Sequence, residues 1–121
     1  RSRGLGDVYK RQNLFMDIIS EEASALIGSI GNVYSANIGD NYAMFEPAHG
    51  SSPKYKGKDK INPTATILSA AWMLQYLGDK KSGDDIFKAT ERVISEGKSV
   101  TYDLGGSSKT TEMTSAIIKY L

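Results

Sequence analysis

Asp17 and Glu21 stand four residues apart in a stretch whose apolar residues recur at helical spacing. On a helix that separation stacks both carboxylates on one face, one turn apart. Like charges so placed repel unless a cation intervenes. A hard divalent ion such as Mg2+ or Mn2+, bound through carboxylate oxygens, would turn that repulsion into a site. The same spacing, extended by Glu22, also suits an exposed acidic face. His49 is the only histidine and lies beside Gly50 in a polar segment. A lone histidine either makes a structural hydrogen bond or, from a loop, serves a site. Lys54, Lys56, Lys58 and Lys60 alternate around Tyr55. Lysines with an aromatic ring can hold a phosphate and stack a base, can bind nucleic acid weakly, or can form a solvated turn. Two glycine patterns fail as phosphate loops. Gly4-Leu5-Gly6 lacks the third glycine of a dinucleotide fingerprint, and the run from Gly105 to Thr110 has Ser108 before its lysine and the wrong spacing for a Walker loop.

These residues need elements to position them. Phe15, Ile18, Ile19, Leu26 and Ile27 predict a helix over 13–30, ended by Gly28 and Gly31. Val33–Ile38 and Tyr42–Glu46 read as two short strands around Gly39-Asp40-Asn41, with their direct pairing left open. Residues 47–60 carry Gly50, Pro53 and Gly57 and predict a loop. Asn62 as N-cap and Pro63 as first helical residue open a helix that Gly78 stops. Its apolar stripe comprises Ile67, Leu68, Ala71, Leu74 and Leu77. Ser82 or Asp84 opens the next helix, with Ile86, Ala89, Val93 and Ile94 inward and Gly97 at its end. Ser99–Tyr102 reads as a short strand or extended turn, 103–109 as a loop. A last helix starts near Thr110, with Met113, Ala116, Ile117, Tyr120 and Leu121 on its buried side. The order is that of an α/β fold, but two strands are too few for a self-sufficient sheet.

Composition bounds the function. Lys and Arg total 15 against 14 for Asp and Glu, so no general charge pulls the chain toward nucleic acid or membrane. The chain lacks cysteine, which excludes a disulfide scaffold, a thiolate zinc site and a cysteine nucleophile and fits a cytoplasmic protein. No apolar run approaches a membrane span. Residue 1 is Arg, and residues 1–12 have no clean period, so they are expected to be a non-native leader ahead of a single domain over 13–121.

Three longer motifs go further. NLFMDIISEEASALIGSIG, SANIGDNYAMFEPAHGSSPKYKGKDKINPTATILSAAWMLQYLG and GKSVTYDLGGSSKTTEMT occur in this order across nearly all of residues 13–121. They resemble successive segments of the isocitrate/isopropylmalate dehydrogenase family. The resemblance implies the C-terminal part of that family's α/β fold, which is not Rossmann, here as an incomplete sheet with flanking helices. It implies oxidation of a 2-hydroxy acid by hydride transfer to NADP or NAD, then decarboxylation assisted by Mg2+ or Mn2+. It makes Asp17 a metal ligand. Glu21 stands where the family has a second aspartate and adds a methylene between backbone and carboxylate. It assigns Glu46, His49, Gly50 and Ser51 to the cofactor loop and Asn62 to the adenine. Lys54-Tyr55 replaces the acidic-aliphatic pair of NAD-using members, and Tyr102 matches a residue that faces the 2′-phosphate of NADP. An arginine found in some NADP enzymes is replaced near Gly106. A homodimer and a small-molecule substrate are also implied, and the Lys-Tyr pair leans toward isocitrate over isopropylmalate or homoisocitrate. The family's substrate-binding and catalytic residues lie upstream of this stretch, so the 121 residues are expected to lack turnover alone. A stand-alone nucleotide- or RNA-binding module is the alternative of another class.

Overall fold

The computed structural model describes Glu22 and residues 30–121. The expected leader, nearly all of the helix expected over 13–30, and both metal-ligand candidates, Asp17 and Glu21, lie outside the described residues. Glu22 is helical and exposed. From Ile30 the chain runs through a 3-10 turn (Ile30–Asn32), β1 (Tyr34–Ile38), β2 (Ala43–Pro47), a second 3-10 turn (Pro53–Tyr55), α1 (Thr64–Tyr76), α2 (Lys80–Glu96), a third 3-10 turn (Tyr102–Leu104) and α3 (Thr110–Ile118).

The two strands pair directly and antiparallel, with Tyr34 opposite Pro47 and Ile38 opposite Ala43. Asp40 and Asn41 turn the chain, and the Gly39 N–H donates to the Tyr42 carbonyl at 2.9 Å. Alternation then separates two faces. Tyr34 and Phe45 lie on the face turned to α1. Their rings meet Trp72 at 5.8 Å each, close to perpendicular, and Phe45 also meets Tyr76 at 5.5 Å. Ser35, Asn37, Met44 and Glu46 occupy the other face.

Helix α1 is apolar on more than one side because it lies between the hairpin and α2. Its small residues Ala65, Ser69 and Ala71 are buried, and the two helices approach closely at Gly83, where a Cβ would fall 2.7 Å from the Ala71 carbonyl oxygen. The single stripe expected from the sequence overstates burial at its end: Leu77 is 71% exposed. The helix starts one residue later than expected, with Pro63 rather than Asn62 as its N-cap, and Asn62 lies just before it. The Asn62 Oδ1 accepts the Thr64 N–H at 2.9 Å, and the Pro63 carbonyl takes the first intrahelical bond, from Ile67.

Helix α2 begins earlier than the sequence reading placed it. Gly78 turns at φ +100°, and Asp79, not Ser82 or Asp84, caps the helix, its Oδ1 accepting the Ser82 N–H at 3.1 Å. Ser82 is the residue whose amide is capped, and Asp84 accepts from the Gln75 side chain at 2.7 Å. Residues 99–101 form no strand; Ser99 lies in a bend, and Thr101 is extended as the chain closes into the 3-10 turn at Tyr102. The hydrophobic core lies between α2 and α3: Ala89, Val93, Val100, Met113 and Ile117, flanked by Ile67, Ile94, Leu104 and Ala116. Tyr120 and Leu121, expected on the buried side, are exposed. Tyr120 instead donates to the Glu96 carboxylate, 2.9 Å from each oxygen, while Arg92 lies 4.1 Å over its ring and bonds Glu96 at 3.2 Å. This polar clasp ties the end of α3 to the end of α2.

Candidate functional site

The segment from the end of β2 to the start of α1 carries most of the candidate residues, and the turn after α2 brings the last of them to it. Ser52 takes a left-handed conformation (φ 43°), and its carbonyl accepts the Tyr55 N–H at 2.9 Å. The tight turn that follows places Lys54 and Tyr55 side by side. Tyr102, from the turn between α2 and α3, brings its ring to 6.2 Å from that of Tyr55, tilted by 34°. Lys54 and Lys58 each hold their Nζ 5.8 Å from the Tyr55 ring centre, and Lys60 holds its Nζ 4.8 Å from that of Tyr102. Three ammonium groups therefore surround two phenols. The Tyr102 phenol beside it, and then the neighbouring lysines, hold the Tyr55 phenol below its ordinary range, and Tyr55 in turn raises Tyr102. A patch of this kind favours an anion rich in oxygen acceptors.

The cluster is held by the rest of the fold. Asn62 is buried, and its Nδ2 donates to Asn32 at 3.0 Å and to Asp103 at 2.9 Å, while its Oδ1 is taken by Thr64. Asp103, next to Tyr102, also accepts from the Thr101 hydroxyl at 2.6 Å. Gly31 lies against this network; a Cβ there would meet Asn62 and Asp103 atoms at 3.0 Å. Asp59, itself at φ 49°, accepts the Thr110 N–H through its carbonyl (3.1 Å), and the Thr111 N–H and hydroxyl through its carboxylate (3.1 and 2.6 Å). The Thr110 hydroxyl also donates to the Ile61 carbonyl. The lysine loop is thus fastened to the first turn of α3.

The cofactor-loop candidates have definite places, whereas Asp17 and Glu21 lie outside the described residues. Glu46 lies on β2 opposite Ser35, its carboxylate accepting from Asn37 at 3.3 Å. His49 donates through Nδ1 to the Gly50 carbonyl at 3.0 Å. Since a carbonyl can only accept, Nδ1 is the donor; Nε2 is buried with no hydrogen-bond partner among the described residues. Gly50 and Ser51 are exposed, and nothing lies within 4 Å of where a Gly50 Cβ would be. Lys54, Tyr55 and Tyr102 come together. Asn62 joins them through Asp103, with its side chain committed to the fold, so a base could meet only its backbone. Sequence reasoning marked Lys58 and Lys60 only as part of a lysine run and missed Asp59, Thr101 and Asp103. The lysine alternation was a visible signal; the Asp59–Thr111 bond spans 52 residues of chain and had none. Among the described residues no three His, Cys, Asp or Glu side chains group as a metal site, so a metal donor set would have to draw on residues beyond them.

Two aromatic rings and three cations thus meet at one surface. A sequence profile of the isocitrate/isopropylmalate dehydrogenase family matches residues 1–117. Homoisocitrate dehydrogenase of Methanocaldococcus jannaschii is 49% identical over 115 residues, which is 95% of this chain and 33% of that protein. The NADP isocitrate dehydrogenase of Archaeoglobus fulgidus is 46% identical over 120 residues, 95% of this chain and 29% of the relative. The crystal structure of isocitrate dehydrogenase from Methylococcus capsulatus superimposes with a TM-score of 0.84 at 40% identity, covering 89% of this chain and 32% of that one. The chain therefore spans about a third of the length of these relatives. With the motifs, the α/β architecture and the profile in agreement, the chain belongs to the isocitrate/isopropylmalate dehydrogenase family.

Proposed function

We propose that these residues are the nucleotide-binding part of an NADP-linked decarboxylating dehydrogenase that acts on isocitrate. The observation that carries this reading is the meeting of Lys54, Tyr55 and Tyr102 in one cationic, phenolic cluster. A 2′-phosphate is the feature that separates NADP from NAD, and it carries close to two negative charges. A charge-assisted bond from Lys54 to it contributes about 1.5–3 kcal/mol, and each 1.4 kcal/mol is about tenfold in affinity. The Tyr55 and Tyr102 hydroxyls add further hydrogen bonds to the same oxygens. His49 stands at the head of the cofactor loop, and the exposed Gly50-Ser51 stretch lets the ligand approach the backbone. NADP, or NAD in its absence, supplies the hydride acceptor.

Asp17 is proposed as a ligand of Mg2+ or Mn2+, with Glu21 one turn further on. Such an ion supplies Lewis-acid stabilisation of the charge that develops when the keto acid loses carbon dioxide. The 121 residues are then the nucleotide- and metal-holding part of a larger enzyme, a homodimer by resemblance, and not a self-sufficient catalyst.

The test is an exchange in the full-length protein. Lys54→Asp with Tyr55→Ile puts an acid where the phosphate would sit and should invert the ratio of NADP to NAD efficiency. An unchanged ratio rejects the assignment. One finding favours a second substrate: the M. jannaschii relative at 49% identity is a homoisocitrate dehydrogenase. Steady-state rates with isocitrate and homoisocitrate, each at saturating NADP and Mg2+, decide between them.

A further inference from the structure

We propose that Lys60 is a second phosphate-binding cation of this site and so a determinant of cofactor choice alongside Lys54. The inference rests on the NADP reading above and adds a residue to it. A phosphomonoester carries about −1.5 to −2 charge near neutral pH, so a single lysine leaves much of it uncompensated. Gly106, on the far side of Tyr102, cannot supply the balance. A Cβ at Gly106 would lie 2.0 Å from the Val100 carbonyl oxygen, so with this backbone the position bears no side chain. Lys60 can supply it. Its Nζ already stands 4.8 Å from the centre of the Tyr102 ring, while Lys54 and Lys58 flank Tyr55. The cations thus bracket the ring pair from both ends.

Lys60 also differs from the other loop lysines in how its backbone is held. On its N-terminal side, the Asp59 carbonyl and carboxylate accept three bonds from Thr110 and Thr111. On its C-terminal side, the Ile61 carbonyl accepts the Thr110 hydroxyl. The residue is clamped to α3 on both flanks, so little ordering is left to do when an anion arrives. Contact with the face of an exposed phenol is itself weak, and it leaves the ammonium protons free to donate to phosphate oxygens.

The experiment uses the full-length protein and two probes, adenosine 2′,5′-bisphosphate and 5′-AMP, with binding followed by calorimetry. Lys60→Met should weaken the bisphosphate about tenfold, the loss of one charge-assisted bond, and leave 5′-AMP within about twofold of its wild-type affinity. Lys60→Arg should retain most of the bisphosphate affinity. Lys56→Met removes the same charge from the same loop and should shift the bisphosphate far less than Lys60→Met. Three results would overturn the proposal. Lys60→Met could weaken both probes alike, which would mean that Lys60 only shapes the loop. Lys56→Met could match Lys60→Met, which would mean a general field. Lys60→Met could have no effect while Lys54→Met weakens the bisphosphate, which would leave the NADP reading standing without Lys60. If neither Lys54→Met nor Lys60→Met affects the bisphosphate, the NADP reading fails as well.

Discussion

Gly106 shows how a single residue without a side chain governs the site. The Gly106 N–H donates to the Thr101 carbonyl and the Ser108 N–H to the Val100 carbonyl, each at 3.0 Å. This folds the chain back on itself directly behind Tyr102. There is no room for even one more carbon, since an added Cβ would lie 2.7 Å from Val100 Cγ2 as well as against its carbonyl oxygen. Gly106→Ala should therefore destabilise the full-length protein by about 1–3 kcal/mol, the range for overpacking. The measurement is a urea titration; an unchanged midpoint with an unchanged slope would contradict the crowding. Asn62 makes the complementary point. Its place before Pro63 was readable in the sequence as a helix start. Its two side-chain donations, to Asn32 and Asp103, join residues 30 and 41 positions away and leave no local trace.

At the scale of elements, local signals carried far and distant ones did not. The two strands, α1 and α3 follow from alternation, from Asn62-Pro63 and from Thr110, all of which act within a few residues, whereas the strands' direct antiparallel pairing stays open in the sequence and comes from the structure. The start of α2 was misread because Asp79 belongs to a glycine turn, and the turn's geometry, not its composition, puts the carboxylate on the Ser82 amide. Tyr120 was misread because an aromatic at helical spacing looks like core, whereas its hydroxyl and ring are held by Glu96 and Arg92 at the surface. That clasp makes a prediction about pH. Tyr120 first, then Arg92, holds the Glu96 carboxyl below its ordinary value of 4.5. The resulting stability is present above that value and is lost as pH falls through the lowered one. Glu96 in turn raises Tyr120 above 10.0, so that contribution is present below 10.0 and is lost as pH rises through the raised value. Tyr120→Phe should flatten both limbs of the stability profile, modestly, because the clasp is exposed to solvent. Urea midpoints that run parallel to wild type across both limbs would contradict this.

At the scale of the molecule, the described residues divide into two assemblies that share α1. The hairpin packs its rings on one side of that helix, and α2 with α3 builds the aliphatic core on another. The cationic cluster lies where the loop after the hairpin meets the turn between α2 and α3, so its geometry depends on both. No described helix is long and apolar enough to cross a membrane. Ile38, Tyr42 and Met44 are exposed at and around the far end of the hairpin, apolar area of the kind that packs against further polypeptide. This agrees with a chain spanning about a third of its relatives' length. The most direct test of the account is the ratio of kcat/KM for NADP to that for NAD, measured on the unmodified full-length protein with isocitrate and Mg2+. One charge-assisted lysine bond and two phenols should favour NADP by about tenfold or more. Equal efficiency, or a preference for NAD, would contradict it.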